Sequence, residues 1–304
     1  VRAAVLPGVD GAFELRDVAD PSPEGGRVVV RVRAAGVNFA DVLVRRGRYP
    51  QMPELPAVLG SEIAGQLEDG TRVMAFTAGG GGYAELAAVE PAQAVPLPDD
   101  ATFAEGASFL LTFLTAYIPL TRQVRLNSGS TVLVYAAAGG VGTAAIQVAR
   151  ALGARVVAAA GSPEKLDLCR ELGAEEAYVY DELPEETRAD VVLDPVGGQL
   201  FAGSFARLNP LGAVIAIGSA AGAWPQIDPA RLVGRNAGLH GFYLGRLMRL
   251  DPAVVGAAVV ELLALWQQGA LRPVVGVELP LAEVERAHAL VESRRSVGKV
   301  VLVP

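Results

Sequence analysis

The chain has 304 residues, 51% of them hydrophobic, which is apolar material for about two domains with cores of their own. A formal net charge of -7 at pH 7 excludes the basic footprint that a nucleic-acid or anionic membrane partner requires. One cysteine, Cys169, with two histidines, His240 and His288, excludes an internal disulfide and a Cys/His zinc set.

From Val1 to about Leu111, short apolar runs such as RVVVRV (27–32), EIAGQL (62–67) and YAELAAV (83–89) alternate with Gly and Pro clusters, which predicts mostly β structure. The opening VRAAVLPGV reaches Pro7 and Gly8 before an apolar signal segment can develop, so a cytoplasmic protein is expected. Arg45, Arg46 and Arg48 read as a solvated loop rather than a docking site. From Thr131 the pattern changes. TVLVY, GVGTAAIQVARALGA, RVVAAA, SPEKLDLCRELGA, AYVY, ADVVLD, a helix near 199–207 and GAVIAIG alternate apolar strands with helices, the signature of a doubly wound parallel sheet. Cys169 shares helical spacing with Leu166 and Leu172 and reads as a core thiol. After Gly245 come a helix (251–268), a strand (274–279), a helix (281–293) and the strand KVVLV. The longest apolar stretch, Ala253 to Trp266, carries Glu261 and is shorter than the roughly 20 residues that cross a bilayer, so no transmembrane helix is expected. The expected divisions are residues 1–112, 113–245 and a segment 246–304 that is too small to stand alone and packs back on an earlier part.

Residues 134–145 read VYAAAGGVGTAA, a strand that dissolves into alanine and glycine where a helix begins. In dinucleotide-binding folds this turn carries GxGxxG: one small residue for the tight bend, one for close approach of the diphosphate, one for packing of helix on strand. Ala137, Gly139 and Gly142 occupy those places. The helix opening at Gly140 offers unpaired N–H groups and a positive dipole end to a diphosphate, which makes Ala138, Gly139, Gly140 and Val141 candidate cofactor contacts. An NAD site places a carboxylate about 20 residues further on. Here stand Ala160, Gly161 and Ser162, and Ser162 with Lys165 would receive the 2′-phosphate of NADP through a hydroxyl and a cation. Ser162 before Pro163 is also an ordinary helix N-cap, and Glu164 would oppose a phosphate if it pointed inward. Lys165 is one of only two lysines in the chain, against 24 arginines. Ligands of such sheets bind at the carboxyl ends of the strands, which adds Tyr180, Val196 within DPVGG (194–198), Gly218, Ser219, and Phe242 and Leu244 within GFYL (241–244).

AAGVNFADVLVRRGRYP (34–50), LGSEIAG (59–65), ASFLLTFLTAY (107–117), AAAGGVGTAAIQVARALGA (136–154), LDPVGG (193–198) and the final GKVVLVP together resemble the zinc-independent quinone oxidoreductases, the zeta-crystallin-like branch of the medium-chain dehydrogenase/reductase superfamily. The resemblance covers essentially the whole chain. It implies an α/β protein with a Rossmann doubly wound parallel sheet plus a GroES-like, mostly β catalytic domain built from the first and last stretches, and a cleft where NADP(H) meets substrate. The zinc-using cousins hold their metal with a Cys, a His and a Cys where this chain has Asn38, Ser61 and Leu111. Loss of those ligands implies an acceptor that takes hydride without a Lewis acid, a quinone or similar conjugated carbonyl. Asn38 and Tyr49 are implied beside the nicotinamide and the acceptor, Asn38 also as a cofactor contact, and Thr115 near the nicotinamide ribose; Asp41 and Glu62 read as structural. Leu43 stands where relatives often carry an aromatic residue, and the stretches 66–71 and 181–190 are short, so the acceptor pocket is expected to be differently lined. Three readings follow: an NADPH:quinone reductase, a reductase of alkenals, enones or enoyl thioesters, and a non-catalytic NADPH-binding structural or sensing protein. The resemblance also implies a homodimer, with no nucleic-acid or membrane partner.

Overall fold

The computed structural model describes residues 1–77 and 79–304 and divides the chain into a first unit, Val1–Leu111 with Pro273–Pro304, and a second unit, Thr112–Arg272. In the first unit, β1 (Arg2–Leu6), β2 (Glu14–Asp17) and β4 (Ala57–Val58) form a three-stranded sheet in the order β2-β1-β4. The larger sheet holds β3 (Val28–Val37), β5 (Glu62–Gln66), β6 (Arg72–Phe76), β7 (Leu86–Val89), β8 (Ala94–Pro96), β15 (Val275–Pro280) and β16 (Lys299–Val303). Its order is β15-β16-β3-β5-β6-β8, and β7 pairs with the start of β3. Along β3 the period changes. Val30 and Val32 are buried while Arg31 and Arg33 face out, after which Ala34 to Val37 are all buried. A half-exposed strand therefore becomes a fully enclosed one just before α1 (Phe39–Arg45).

Arg45 and Arg46, expected as solvated loop residues, are half-buried and ion-paired. They end α1, where Arg45 pairs with Glu285 at 2.9 Å, and Arg46 pairs with Glu292 at 2.7 Å and Asp10 at 2.8 Å. Both glutamates sit on α10 (Val284–Glu292), so ion pairs pin the C-terminal end of α1 to that helix; Arg48 alone of the three stays exposed and unpaired among the described residues. His288 of α10 is fully buried, its ring 4.7 Å from Phe13 and 5.8 Å from Tyr83. Neither of its ring nitrogens has a hydrogen-bond partner among the described residues. The capping pair at α2 (Phe103–Gly106) is the one its sequence, T-x-x-E, calls for: Glu105 N–H donates to Thr102 Oγ1 at 3.1 Å and Thr102 N–H to Glu105 Oε2 at 2.8 Å.

The second unit begins inside α3 (Leu110–Ile118). Its sheet comprises β9 (Thr131–Tyr135), β10 (Arg155–Ala160), β11 (Glu176–Val179), β12 (Ala189–Asp194), β13 (Leu208–Ala216) and β14 (Gly238–Gly241). All pairs are parallel, in the order β11-β10-β9-β12-β13-β14. The order reverses direction at β9, so β9 and β12 flank a topological switch point. Around the sheet run α4 (Gly140–Ala151), α5 (Leu166–Glu171), α6 (Gly198–Ser204), α7 (Pro229–Val233), α8 (Leu244–Leu250) and α9 (Pro252–Gln267). Cys169 is buried in α5, as expected.

The chain returns to the first unit at Pro273, later than the expected 246. Two contacts hold the intervening helices in the second unit. Arg122 pairs with Glu261 of α9 at 2.7 Å, and the buried side chain of Gln147 on α4 both donates to Arg272 O at 2.9 Å and accepts from Arg272 N–H at 2.7 Å. The run Phe103–Gln123, which the apolar pattern of the sequence did not single out, has the length and apolarity of a membrane-crossing helix, but 89% of its most apolar stretch is buried inside the protein. A core helix satisfies the same pattern.

Burial pulls the pKa of His288 from 6.5 down to about 3, with the nearby Arg45 charge adding to the effect. The unfolded chain therefore binds the extra proton, and the stability from keeping this ring neutral is complete above pH 6.5 and lost as pH falls toward 3. In urea unfolding, the native chain should lose about 1.4 kcal/mol per pH unit below that point relative to a His288→Leu variant. Parallel pH profiles of the two proteins would contradict it.

Candidate functional site

Two clusters carry the expected site residues, one in each unit. In the second unit the carboxyl ends of all six parallel strands share one edge of the sheet. At β9 the chain turns through Ala136, which takes a left-handed φ of 49°. The bend was expected at Ala137; it falls one residue earlier, on a residue whose Cβ disfavours that region. Tyr180, just past β11, meets Ala136 there: Ala136 N–H donates to Tyr180 Oη at 3.1 Å. Its ring lies edge-on to Tyr135 at 6.2 Å.

After Ala137 and Ala138, both buried, Gly139 caps α4 in an extended conformation. By helix geometry the N–H groups of Gly140, Val141 and Gly142 have no partner inside the helix. A Cβ on Gly142 would overlap the carbonyl oxygens of Ala136 and Ala137, and one on Gly139 would stand 3.3 Å from Ala136 O. The missing side chains thus let the helix start directly beneath the turn, leaving a floor of N–H groups suited to a diphosphate.

Gly161 and Ser162 follow β10, with Tyr180 Cε2 3.8 Å from where a Gly161 Cβ would be. Ser162 occupies the N-cap position before Pro163, yet its side chain does not cap. It donates to Glu164 Oε1 at 2.5 Å instead, which holds that carboxylate below its usual range. Lys165 is half-buried, and burial lowers its pKa. Asp194 closes β12 and folds the DPVGG turn by accepting from Val196 N–H at 2.6 Å and Gly197 N–H at 3.0 Å. Gly218 and Ser219, after β13, lie over that turn: Ser219 Cα is 3.1 Å from a Gly197 Cβ position, and Ala221 N–H donates to Val196 O at 2.8 Å. Phe242 and Leu244 are buried after β14, and Thr115 is buried on α3.

Asn38 and Tyr49 belong to the first unit, where Asn38 is buried and Tyr49 half-buried against the core. Asn38 caps α1, and its backbone N–H donates to Asp41 Oδ2 at 2.8 Å. Tyr83 Oη donates to the same oxygen at 2.9 Å. Burial pushes the Asp41 carboxyl up to about 6, against the downward pull of those two hydrogen bonds.

The residue that sequence reasoning missed is Lys299. From the first position of β16 its Nζ donates to Asn38 Oδ1 at 2.6 Å and to Glu62 Oε2 at 2.7 Å, all three side chains being buried. Glu62 Oε1 accepts from Leu111 N–H at 2.9 Å. Asn38 and Leu111, two of the three places where zinc-using cousins carry ligands, are thus joined through one buried ion pair. Scarcity draws attention to Lys165, and the same argument applies to the chain's other lysine. Among the described residues no group of three or more His, Cys, Asp or Glu side chains could hold a metal ion.

The alcohol dehydrogenase GroES-like domain family matches residues 24–99, and the zinc-binding dehydrogenase family matches residues 140–263. The chain is 34% identical to a quinone oxidoreductase of Pseudomonas aeruginosa, over 96% of this chain and 95% of that protein. It is 32% identical to the synaptic vesicle membrane protein VAT-1 homolog of Homo sapiens, over all of this chain and 86% of that protein. Among solved structures it is similar to the quinone oxidoreductase from Thermus thermophilus, determined also in complex with NADPH, with a TM-score of 0.93 and 44% identity over the whole of both chains.

A Gly142→Ala variant should displace the turn at a cost of about 1–3 kcal/mol in overpacking and weaken dinucleotide binding with it. Titration of the variant by nicotinamide fluorescence checks this; native affinity would refute the close approach of helix to turn.

Proposed function

Because the chain belongs to the zeta-crystallin-like quinone oxidoreductases of the medium-chain dehydrogenase/reductase superfamily, we propose that it is an NADPH-dependent reductase that delivers hydride to a quinone or related conjugated carbonyl without a metal ion. The observation that carries this reading is the glycine-floored start of α4, where the side chains that would fill the space are absent and the first N–H groups of a long helix face it. The residues present fit a dinucleotide. Gly139, Gly140 and Val141 would hold its diphosphate, and Ser162 and Lys165 supply a hydroxyl and a cation for a 2′-phosphate, once Ser162 Oγ turns from Glu164.

Bound NADPH supplies a hydride from C4 of its nicotinamide. The chain's own contribution is to bind and orient. Asn38, fixed at the start of α1 and bonded through its carbonyl oxygen to Lys299, keeps its amide nitrogen as a neutral donor for the carbonyl of an acceptor. A quinone needs little more, since it spreads the incoming charge over a conjugated ring that becomes aromatic. The donor set at Asn38, Ser61 and Leu111 suits such an acceptor rather than a metal-bound alkoxide. Alkenals, enones and enoyl thioesters share the polarised conjugated carbonyl and are the second acceptor class. A homodimer is supported by β14, which among the described residues has a strand neighbour on one side only and leaves Leu239 exposed.

Mixing the purified protein with NADPH and a panel of benzoquinones, naphthoquinones, enones and alkenals, while following nicotinamide absorbance, tests the reading. Quinones should be turned over fastest. Faster enone turnover would favour the second class, and tight NADPH binding with no turnover would make the protein a non-catalytic binder. Asn38→Ala should lower kcat roughly a hundredfold with a good acceptor, the scale of one lost oxyanion donor, while leaving the α4 diphosphate site in place.

A further inference from the structure

We propose that Lys299 is a positioning residue that locks the Asn38 carboxamide in one of its two flips, so that its nitrogen and never its oxygen is offered to the acceptor. The inference rests on the proposed role of Asn38. An asparagine amide can present either end with almost the same shape, and only its hydrogen-bond partners decide which. An ammonium is a donor with no lone pair to give, so the atom 2.6 Å from Lys299 Nζ has to be the oxygen. The other end agrees. Among the described residues the Asn38 nitrogen has one contact, a 3.5 Å approach to the carbonyl oxygen of Gly36, too long to occupy both of its N–H groups. A flipped amide would set its NH2 against the ammonium and its oxygen against a carbonyl.

Several features of the chain exist around this contact. Lys299 precedes Val300 and Val301, which pair with Val37 and Gly36 of β3, so strand register delivers its side chain to residue 38. Gly36 makes the room: a Cβ there would overlap the carbonyl oxygen of Ala107 and would also stand 2.8 Å from Lys299 Cε and 3.1 Å from Glu62 Oε2. Glu62, paired with Gly36 across β3 and β5, neutralises the ammonium at 2.7 Å and is itself anchored by Leu111 N–H. A buried ion pair is a poor source of stability compared with apolar packing of the same volume. Its geometry here does something apolar packing cannot, which is to tell the two ends of an amide apart. The adjacent positive charge also polarises the carboxamide through its oxygen, strengthening the N–H groups as donors toward an oxygen gaining negative charge.

Lys299→Met alone leaves the Glu62 carboxylate buried without a cation and is expected to unfold. The test therefore uses Lys299→Met combined with Glu62→Gln, which removes both charges and keeps an oxygen for Leu111 N–H. This paired variant is compared with the native protein and with Asn38→Ala, and is also placed in the Asn38→Ala background, with NADPH and 1,4-benzoquinone as substrates. The paired variant should lose roughly tenfold or more in kcat, keep its NADPH affinity by nicotinamide fluorescence, and cause no further loss once Asn38 is alanine. A readout independent of turnover is the Asn38 side-chain amide pair in the proton–nitrogen NMR spectrum, identified by its absence in Asn38→Ala; the paired variant should move it toward the position of a free amide. Unchanged kcat in the paired variant, or the same factor lost in both backgrounds, would overturn the proposal and leave the role of Asn38 standing. If Asn38→Ala itself changes nothing, the functional reading fails first and this inference with it.

Discussion

An ammonium group buried among strands must be neutralised where it lies, because removing an ion from water costs several kcal/mol even after the protein relaxes. In the first unit this single constraint organises the end of β3, the start of β5, the start of β16 and the N-terminus of α1. Glu62 answers the charge of Lys299, Leu111 N–H occupies the other oxygen of Glu62, and Gly36 vacates the volume that the lysine stem fills. Asn38 takes a second of the ammonium's three N–H groups. Its neighbour Asp41 is held by two hydrogen bonds to one oxygen, one from the Asn38 backbone and one from Tyr83, so the segment 36–41 has little freedom to move as a loop would. The two ion pairs from Arg45 and Arg46 to α10 then secure the far end of α1.

The turn between β9 and α4 in the second unit depends on a different constraint, the absence of side chains. Ala136 adopts a conformation that costs an alanine roughly 1–2 kcal/mol, and the Tyr180 hydroxyl takes up the N–H that this bend turns away from the sheet. Tyr180 was expected as a cofactor contact; in the structure its hydroxyl braces the turn between β9 and α4. Ser162 shows the same economy, its position that of an N-cap and its hydroxyl committed to Glu164.

Five strands of the parallel sheet and helices α4, α5 and α6 could be read directly from the sequence, because each announces itself within a dozen residues: TVLVY then a glycine-rich turn then an apolar-periodic helix. What could not be read was long in range. Lys299 reaches Asn38 across 261 positions and Glu62 across 237, and nothing in GKVVLVP distinguishes a lysine that faces water from one drawn inward by strand register. The later return to the first unit has a similar cause. Pro273 marks it because Gln147 clamps Arg272, a contact between residues 125 apart. Arg45 and Arg46 of the basic cluster find ion-pair partners for the same reason, those carboxylates lying at Asp10 and on α10.

The first unit is assembled from two pieces separated by the whole of the second, and this imposes an order of events during translation. Residues 112–272 are contiguous and can reach their parallel sheet as soon as they leave the ribosome. The earlier strands cannot finish. Until β16 emerges, positions 35–37 of β3 lack their neighbour on that side, an apolar edge of the kind that recruits foreign strands, and Glu62 waits without its counterion. The nascent chain therefore carries an incomplete β unit until residue 299 is made, and the residue that neutralises that unit's interior arrives with β16.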